Sequence, residues 1–519
     1  MLMAVVLVAC SGDDATTINT DGVDDGYWLT LSLNNAATRA AADHPYGGDD
    51  GDGREYGRNF ENNIDDVCIF IYDDADGKGV NGEASTPIKA KYYFSGLGLS
   101  LPEGISYKTS PMKINGYKPS ANDRLIVFAN TGDVTADFST LADFQSTSKA
   151  WQKTMLWNDD ADALKCDHFV MTTSREDDTY GKMNVTGLTG AINDPFNATI
   201  EMQRAMARVD IMFKSDNAST VVDGPLSFTV DAGTSSGTFM LTKARIFNMP
   251  LESTLPLKRV AATADLAGLN SATLLGSETT LPYVHTKWTY DKEKETYETA
   301  TSFQASTGVD DDGIATYLPN GTTDYSVHAC PSDNHVFTVS ETDFADYKYS
   351  YTVGYCPENT MPLEMQTNDY RTGVLLRGTF MPTHIYKYSG GLVEDDAYTA
   401  GNDMWRYVAV ETGDQSYFFS SEADIDAYIA SRPTKAYNKV KYTQGQCYYY
   451  IWIKHVAPAS GAAENTTPME YAIVRNNIYR IGIEKITGIG SEVPSPKSNA
   501  NTKIYVRNWR FRGQEEIVL

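Results

Sequence analysis

The chain has 519 residues, enough for two to four domains, and a formal net charge of −25 without a dense cluster of Lys or Arg. This charge excludes a protein that follows a nucleic-acid backbone, because such proteins need a positively charged surface. The composition is aromatic, with 33 Tyr, 19 Phe and 7 Trp, and long helix-forming runs are scarce. This balance favours an all-β fold of many short strands joined by polar turns.

The first nine residues are apolar, and residues 7–10 (Leu-Val-Ala-Cys) have the form of a lipobox. A signal peptidase needs small residues before its cut, and the thiol of Cys10 then receives the lipid. We therefore expect a signal peptide over residues 1–9 and lipidation at Cys10; the alternative is a short apolar start before an ordinary disordered tail. No Lys or Arg precedes the apolar run, which leaves the true start codon open. No apolar span of 18 residues occurs elsewhere, so no transmembrane helix is predicted.

A clean alternation of apolar and polar residues follows a tether rich in Asp, Gly and Thr. Four side chains of this segment share one face, the pattern of a half-buried strand: Tyr27, Leu29, Leu31 and Leu33. Small polar residues continue from 34 to 41 and include Arg39 and Ala40. Such a segment is predicted to be exposed and open to proteolysis.

Further strands are predicted at 67–72, 91–94 and 124–130, where continuous apolar character indicates central strands packed on both faces. Residues 141–157 are the best candidate for a helix or loop in this half. A domain boundary is placed close to Asp194-Pro195, because a loop with Gly190 and Pro195 precedes a new block of strands.

The end of the chain predicts two strands, at 504–509 and 516–519, behind a linker rich in Pro, Ser and Asn. An apolar strand in this position must pair with a sheet edge or fill a groove. The groove lies either in its own domain or in another subunit.

Residues 474–481 (Val-Arg-Asn-Asn-Ile-Tyr-Arg-Ile), with 449–452 before them, closely resemble the C-terminal strands of Mfa-type fimbrillins, the shaft pilins of the type V pilus of Bacteroidia. The likeness extends to four further segments, although the long middle of the second half matches poorly: 29–33 with Arg39-Ala40 behind it, 202–209, 374–380 and 503–519. The acidic residues after Cys10 resemble the tract that sends lipoproteins of this bacterial group to the cell surface.

The resemblance implies two transthyretin-like β-sandwich domains, a removable N-terminal strand and C-terminal donor strands. The chain would then divide into five parts: a signal peptide (1–9), a lipidated propeptide with the first strand (10–39), an N-terminal domain (40–197), a C-terminal domain (198–502) and donor strands (503–519). By motif position, an Arg-specific protease cuts between Arg39 and Ala40.

The implied mechanism is donor-strand exchange, an intermolecular form of β-augmentation. Cleavage releases the first strand, and C-terminal strands of the next subunit fill the groove. Five residues are expected to belong to the donor strands: Ile504, Val506, Trp509, Ile517 and Leu519. The implied partners are copies of the chain in a head-to-tail filament, accessory fimbrial subunits, the Arg-specific protease, and the outer membrane through the lipid of the precursor. The implied location is a cell-surface fimbria that serves adhesion.

Three patterns match enzymatic or metal-binding motifs only in part. Gly233–Gly237 fits G-x-S-x-G, but a strand follows where a nucleophile elbow needs a helix, so a hairpin turn is favoured. The acidic runs 49–53 and 73–79 lack the glutamate and helices of an EF-hand, which favours solvated turns over a calcium site. The six Cys and seven His lack metal-ligand spacing, and buried thiols are favoured. The sequence therefore predicts no catalytic residues, metal or cofactor.

Two other classes of function stay open. A fimbrial tip or accessory subunit, or a glycan-binding surface lipoprotein, is the first, because tyrosines between 287 and 450 could stack on sugars. An enzyme is the second, and it would need a convergent polar cleft. A shaft subunit needs both a removable strand and a donor strand, whereas a lone binding lipoprotein needs neither.

Overall fold

The computed structural model describes residues 26–35, 54–56, 61, 63–99, 107–145, 150–152, 169–214, 218–219, 226–247, 252–260, 273–275, 283–284, 290–291, 296–297, 328–329, 336–338, 347–360, 363, 366, 371–455, 469–486, 488–492 and 500–510. Strands dominate, and the α-helices among these residues are short: α1 (Leu141–Gln145) and α2 (Glu422–Ala430). The predicted all-β fold class is confirmed. No helix in this described part of the chain is long and apolar enough to cross a membrane.

Up to Arg204 the described strands are β1 (Tyr27–Asn35), β2 (Arg54–Tyr56), β3 (Val67–Asp73), β4 (Ile88–Phe94), β5 (Tyr107–Lys108), β6 (Met112–Ile114), β7 (Asp123–Ala129), β8 (Ala150–Gln152), β9 (Met171–Arg175), β10 (Met183–Asn184) and β11 (Phe196–Arg204). The next group is β12 (Met206–Lys214), β13 (Ala218–Ser219), β14 (Leu226–Val230), β15 (Gly237–Phe247), β16 (Glu252–Thr254), β17 (Lys258–Val260), β18 (Thr273–Leu274), β19 (Tyr283–Val284), β20 (Tyr290–Asp291), β21 (Thr296–Tyr297), β22 (His328–Ala329), β23 (Val336–Thr338), β24 (Tyr347–Pro357) and β25 (Gly373–Pro382). The last group is β26 (Tyr386–Tyr388), β27 (Leu392–Glu394), β28 (Met404–Ala409), β29 (Tyr417–Phe419), β30 (Tyr437–Tyr442), β31 (Gln446–Trp452), β32 (Asn477–Ile486) and β33 (Ala500–Arg510).

The first sheet has the order β4-β3-β7-β9-β11-β1-β5, with β10 paired to β11 and β6 paired to β1. Its core contains four phenylalanine rings in mutual contact, drawn from β3, β7, α1 and the loop before α1: Phe70, Phe128, Phe144 and Phe138. The Tyr92 hydroxyl on β4 donates to the Asn115 carbonyl next to β6 at 2.9 Å. This bond links strands from opposite ends of the order, so the sheet curls around its core.

The second sheet has the order β23-β24-β12-β32-β14-β15-β25-β31, and β33 pairs with β32. β13 pairs with β14, β22 with β15 and β2 with β33. One apolar core takes side chains from β12, β24 and β32 and from β14, β15, β25 and β31. A Cβ atom at Gly354 of β24 would lie 3.6 Å from Ile246 Cδ1 of β15, so the two groups of strands are in contact across this core. These two groups of strands therefore face each other as layers of a sandwich.

A five-stranded sheet is inserted between β25 and β31, with the order β27-β26-β29-β28-β30. Three of its side chains, Met404, Phe418 and Tyr442, join the core of the second sheet. A separate cluster, which includes Tyr407 and Tyr428, packs this sheet against α2. Three small sheets complete the described strands: β16-β8, β18-β17-β19 and β20-β21.

The prediction of central strands holds for two of the three segments. β3 and β7 are buried along nearly their whole length, but β4 ends the strand order and is buried only at Ile88 and Tyr92. The third prediction was wrong, because β4 has one strand neighbour and, of residues 91–94, Tyr92 alone is buried. The change from the first sheet to the second falls at Ala205, since β11 pairs with β1 and β12 with β24. The predicted division into domains at 197/198 remains a proposal.

The acidic run 73–79 forms a turn after β3 whose carboxylates have protein partners. Asp73 pairs with Lys89 at 2.8 Å, and Asp74 accepts from the Gly79 N–H at 2.6 Å and pairs with Arg124. These contacts favour an acidic turn over a calcium loop.

Glu176 lies beside this turn and gives a pH-dependent prediction. Its carboxylate accepts from the Val80 N–H at 2.7 Å and from the Tyr72 hydroxyl, and burial raises its pKa from 4.5 to about 7. The folded state therefore keeps a proton that the unfolded state loses, so this group's stabilisation falls as the pH rises from about 4.5 to about 7. Between these pH values, the free energy of unfolding of the parent relative to that of Glu176→Gln should fall as the pH rises, as measured with urea. Parallel curves would contradict this.

Candidate functional site

Strand β1 lies inside the first sheet, between two sets of neighbours. Leu29–Asn35 pair in parallel with Phe196–Met202 of β11. On the other side, Tyr27–Leu29 pair antiparallel with β6, and Ser32 and Leu33 pair antiparallel with β5. A segment near the start of the chain thus fills an internal position of the sheet.

The leucine face of β1 points into the first core. Leu29 and Leu31 are 0 % exposed and Leu33 is 1 % exposed. Thr30, on the opposite face, is also buried, whereas Tyr27 is half-buried. Complete burial of a leucine side chain is favourable by roughly 1.5–3 kcal/mol, so the three leucines contribute most of the free energy that keeps β1 in the sheet.

Two contacts outside the regular ladder also hold β1. The Trp28 N–H donates to the Gly190 carbonyl at 2.8 Å. In the gap between β5 and β6, the Leu31 N–H donates to Thr109 Oγ1 at 2.9 Å, and the Thr109 N–H donates back to the Leu31 carbonyl at 2.9 Å. The threonine hydroxyl therefore replaces a main-chain acceptor where the neighbouring strand is interrupted.

Removal of β1 would leave a slot in the first sheet. Apolar residues of β11 that adjoin the leucines, such as Ala198 and Ile200, would lose their neighbours. The facing edges of β11, β5 and β6 would also lose their main-chain partners, and unpaired buried backbone groups are costly. A slot of this kind binds another extended strand.

Leu31→Ala is expected to lower the free energy of unfolding of the uncleaved chain by about 2–5 kcal/mol, because it deletes a fully buried side chain. If β1 leaves its slot after cleavage, the same substitution has no effect on the stability of the cleaved subunit. Urea unfolding of both forms measures the difference, with Trp28→Ala, which truncates a half-buried side chain of the same strand, as the control. Equal losses in the two forms would contradict removal of β1.

Three of the predicted donor residues, Ile504, Val506 and Trp509, lie in β33. This strand pairs antiparallel with β32 from Ala500 to Asn508, and residues 508–510 pair in parallel with β2. β33 is therefore held in the second sheet of its own chain in this structure. The other predicted site residues lie outside the described residues: Cys10, Arg39, Ala40, Ile517 and Leu519.

The motif at 474–479, which carries the resemblance, forms the turn into β32. Arg475 is fully buried and its Nε lies 2.9 Å from Oε2 of Glu358. Asn476 has a φ of +58°, a region that Asn tolerates better than most residues, and its N–H donates to the Met206 carbonyl at 2.8 Å. The motif therefore joins the start of β32 to neighbouring segments.

A buried group of charges at the junction of the two sheets was not predicted from the sequence. Glu61 is 0 % exposed, and its carboxylate accepts from Arg208 at 2.9 Å and from the Tyr355 hydroxyl at 2.7 Å. Its carbonyl accepts from Arg204 Nε at 3.1 Å, and Asp210 accepts from Arg208 at 3.0 Å. For Arg208 and Asp210 the signal was present, since they are charged residues at alternate positions of a strand whose other face is apolar.

The remaining motifs have structural explanations. Gly233–Ser235 form a short 3-10 turn between β14 and β15, which pair antiparallel, so the predicted hairpin turn is confirmed. Cys68, Cys356 and Cys447 are buried free thiols, and burial raises the pKa of Cys68 to about 11. Within the described ranges, no group of three or more His, Cys, Asp or Glu residues is placed to hold a metal ion.

The site thus has two features. One is β1, which fills an internal slot of the first sheet, and the other is the antiparallel pair of β32 and β33. Residues 440–515, which contain β31, β32 and β33, match the family described as "Major fimbrial subunit protein type IV, Fimbrillin, C-terminal". The resemblance to fimbrillins is confirmed in this region, and the match supports a fimbrial subunit at the cell surface. No curated protein matches the chain.

Several solved structures align with most of the chain. A candidate cell adhesion protein from Parabacteroides distasonis is 12% identical, with 94% of this chain and 100% of that chain covered and a TM-score of 0.40. The fimbrilin FimA from Porphyromonas gingivalis is 14% identical, with 94% and 98% covered and a TM-score of 0.37. The tip fimbrial protein Mfa3 from the same species is 12% identical, with 93% and 100% covered and a TM-score of 0.34.

Proposed function

We propose that the chain is a shaft subunit of a cell-surface fimbria that polymerises by donor-strand exchange. The observation that supports this most strongly is the position of β1, a strand from the start of the chain that fills an internal slot of the first sheet. Its buried leucines and paired edges make the slot a site that must be refilled if β1 leaves.

In this mechanism the precursor is exported as a lipoprotein anchored through Cys10 to the outer membrane. An Arg-specific protease cuts between Arg39 and Ala40, in the segment that joins β1 to β2. β1 loses its covalent link to the rest of the sheet and can leave the slot.

A C-terminal strand of a second copy then enters the slot. Its apolar row, which includes Ile504 and Val506, takes the places of the leucines and restores the ladder with β11. This contact joins different surfaces of the two copies, so it does not close on itself and builds a filament. Accessory fimbrial subunits complete the fibre.

The test is a titration of the purified precursor, starting after residue 10, with an Arg-specific protease. N-terminal sequencing identifies the cut, and negative-stain microscopy follows assembly. The expected result is a new terminus at Ala40 together with filaments, and the same preparation without protease is the control.

Two results would overturn the proposal. Cleavage elsewhere with no filaments would remove the role of Arg39. A clean terminus at Ala40 with monomers alone would favour a tip subunit or a glycan-binding surface lipoprotein.

A further inference from the structure

The strand in the slot begins with an aromatic ring. Tyr27 stacks on Phe196 of β11, with 5.7 Å between ring centroids and 28° between ring planes. Lys118 Nζ lies 5.8 Å from the centre of the Tyr27 ring. Stacked rings stabilise a contact beyond the area that they bury. Gly190 lies beside the rings of Tyr27 and Phe196. We call Phe196, Lys118 and Gly190 the aromatic seat.

Gly190 makes the stacking possible. Its φ is +74°, and a Cβ atom there would lie 2.6 Å from Phe196 Cε2 and 2.7 Å from Tyr27 Cδ1. Its N–H donates to the Asp194 carbonyl at 3.0 Å, while its own carbonyl accepts from Trp28. The glycine therefore admits the ring and binds the backbone next to it.

The leucines alone do not fix the register of β1. A shift of one residue would turn them away from the core, but a shift of two residues keeps two leucines on the same face and brings Asn35 to the position of Leu33. The Thr109 hydroxyl does not prevent such a shift, because it can accept from another N–H of the same parity. The ring of Tyr27 has no equivalent two residues later, where Leu29 stands.

We propose that Tyr27 and the aromatic seat hold the propeptide strand in a single register, and that the released strand, residues 27–35, rebinds the open slot and competes with the strand of the next subunit. The competition rests on the proposed function, whereas the register of β1 in the uncleaved chain does not.

The proposed donor strand makes a poorer fit to the aromatic seat. If Ile504 and Val506 take the positions of Leu29 and Leu31, the residue at the position of Tyr27 is Thr502. Threonine has no ring to stack on Phe196. While the propeptide strand is covalently attached, its high effective concentration excludes the donor. Cleavage removes this advantage, and the two strands then compete for the slot as separate molecules.

The competition test uses a labelled synthetic peptide of residues 27–35 with the cleaved subunit. The parent peptide is expected to bind and to stop filament growth, and Tyr27→Ala is expected to weaken binding about tenfold. Tyr27→Phe keeps the ring and should bind within about twofold of the parent, and Trp28→Ala is the control for loss of an aromatic residue on the other face. Equal binding of the Tyr27→Ala and parent peptides overturns the proposal.

The register test uses the uncleaved chain and needs no filaments. Ser32→Cys with Lys108→Cys traps the observed register, because these residues are paired. Asn34→Cys with Lys108→Cys traps a shift of two residues. Adding Tyr27→Ala is expected to lower the yield of the 32–108 disulfide and to raise the yield of the 34–108 disulfide. Unchanged yields overturn the role of the aromatic seat. If neither filaments nor peptide binding occur but the yields change as expected, the proposed function and the competition fail while the register stands.

Discussion

Arg39→Ala is expected to leave a folded precursor that forms no filaments. β1 is already in its slot before cleavage, so the substitution removes only the recognition site of the protease. A pocket built to bind a charged side chain rejects a substrate that lacks it by roughly 10⁴-fold or more, so cleavage at this bond should be undetectable. Circular dichroism tests the fold, and microscopy after protease treatment tests assembly.

Two control variants sharpen this experiment. Arg175→Ala removes an arginine whose side chain is 59% exposed, at the end of β9, and should assemble normally. Arg39→Lys should resist the Arg-specific protease, but a Lys-specific protease that cuts after residue 39 should restore filaments. Filaments from uncleaved Arg39→Ala protein would rule out the mechanism.

Glu61→Ala is expected to destabilise the protein by about 3–5 kcal/mol, because removal of one partner leaves buried charges uncompensated. The carboxylate is the partner of Arg208 and Tyr355. Burial lowers the pKa of Arg204 to about 10, and the Glu61 charge opposes this shift, so Arg204 keeps its charge at neutral pH. The loss should appear in the free energy of unfolding measured with urea.

Glu61→Gln retains the shape and one acceptor oxygen, so it should cost less than the alanine variant. Glu411→Ala is the matched control, because Glu411 forms an exposed pair with Lys435 at 2.7 Å and such pairs contribute little. If Glu61→Ala and Glu411→Ala had equal effects, the junction would not depend on the buried charges.

The strands of the first sheet were predictable where a local pattern was sufficient. The alternation in residues 27–33 predicted the buried leucines of β1, and the continuous apolar runs predicted β3 and β7. The parallel pairing of β1 with β11 was not predictable, because it joins segments more than 160 residues apart and no local pattern encodes a partner. The position of β4 at one end of the strand order was not predictable for the same reason, because the local sequence does not show that no second strand pairs with it.

The candidate site was predictable in its strands but not in the contacts that surround them. The sequence predicts no more than a loop at Gly190, although its carbonyl accepts from the Trp28 N–H and its lack of a Cβ admits the ring of Tyr27. Thr109 and Phe196 gave no signal, since a hydroxyl or ring in a strand is ordinary until its neighbour is known. Glu61 stands outside any periodic pattern, so only the fold could reveal that it is buried.

The pairing of β1 on both sides has a mechanical consequence. A strand in this slot contacts β11 along one edge and β5 and β6 along the other. Main-chain hydrogen bonds run across the strands, so tension along the axis of the strand loads both ladders in shear. Many hydrogen bonds must then break at the same time. A lateral force would instead open them one pair at a time, so a fibre joined through such slots would be strong under pull and weak under peeling.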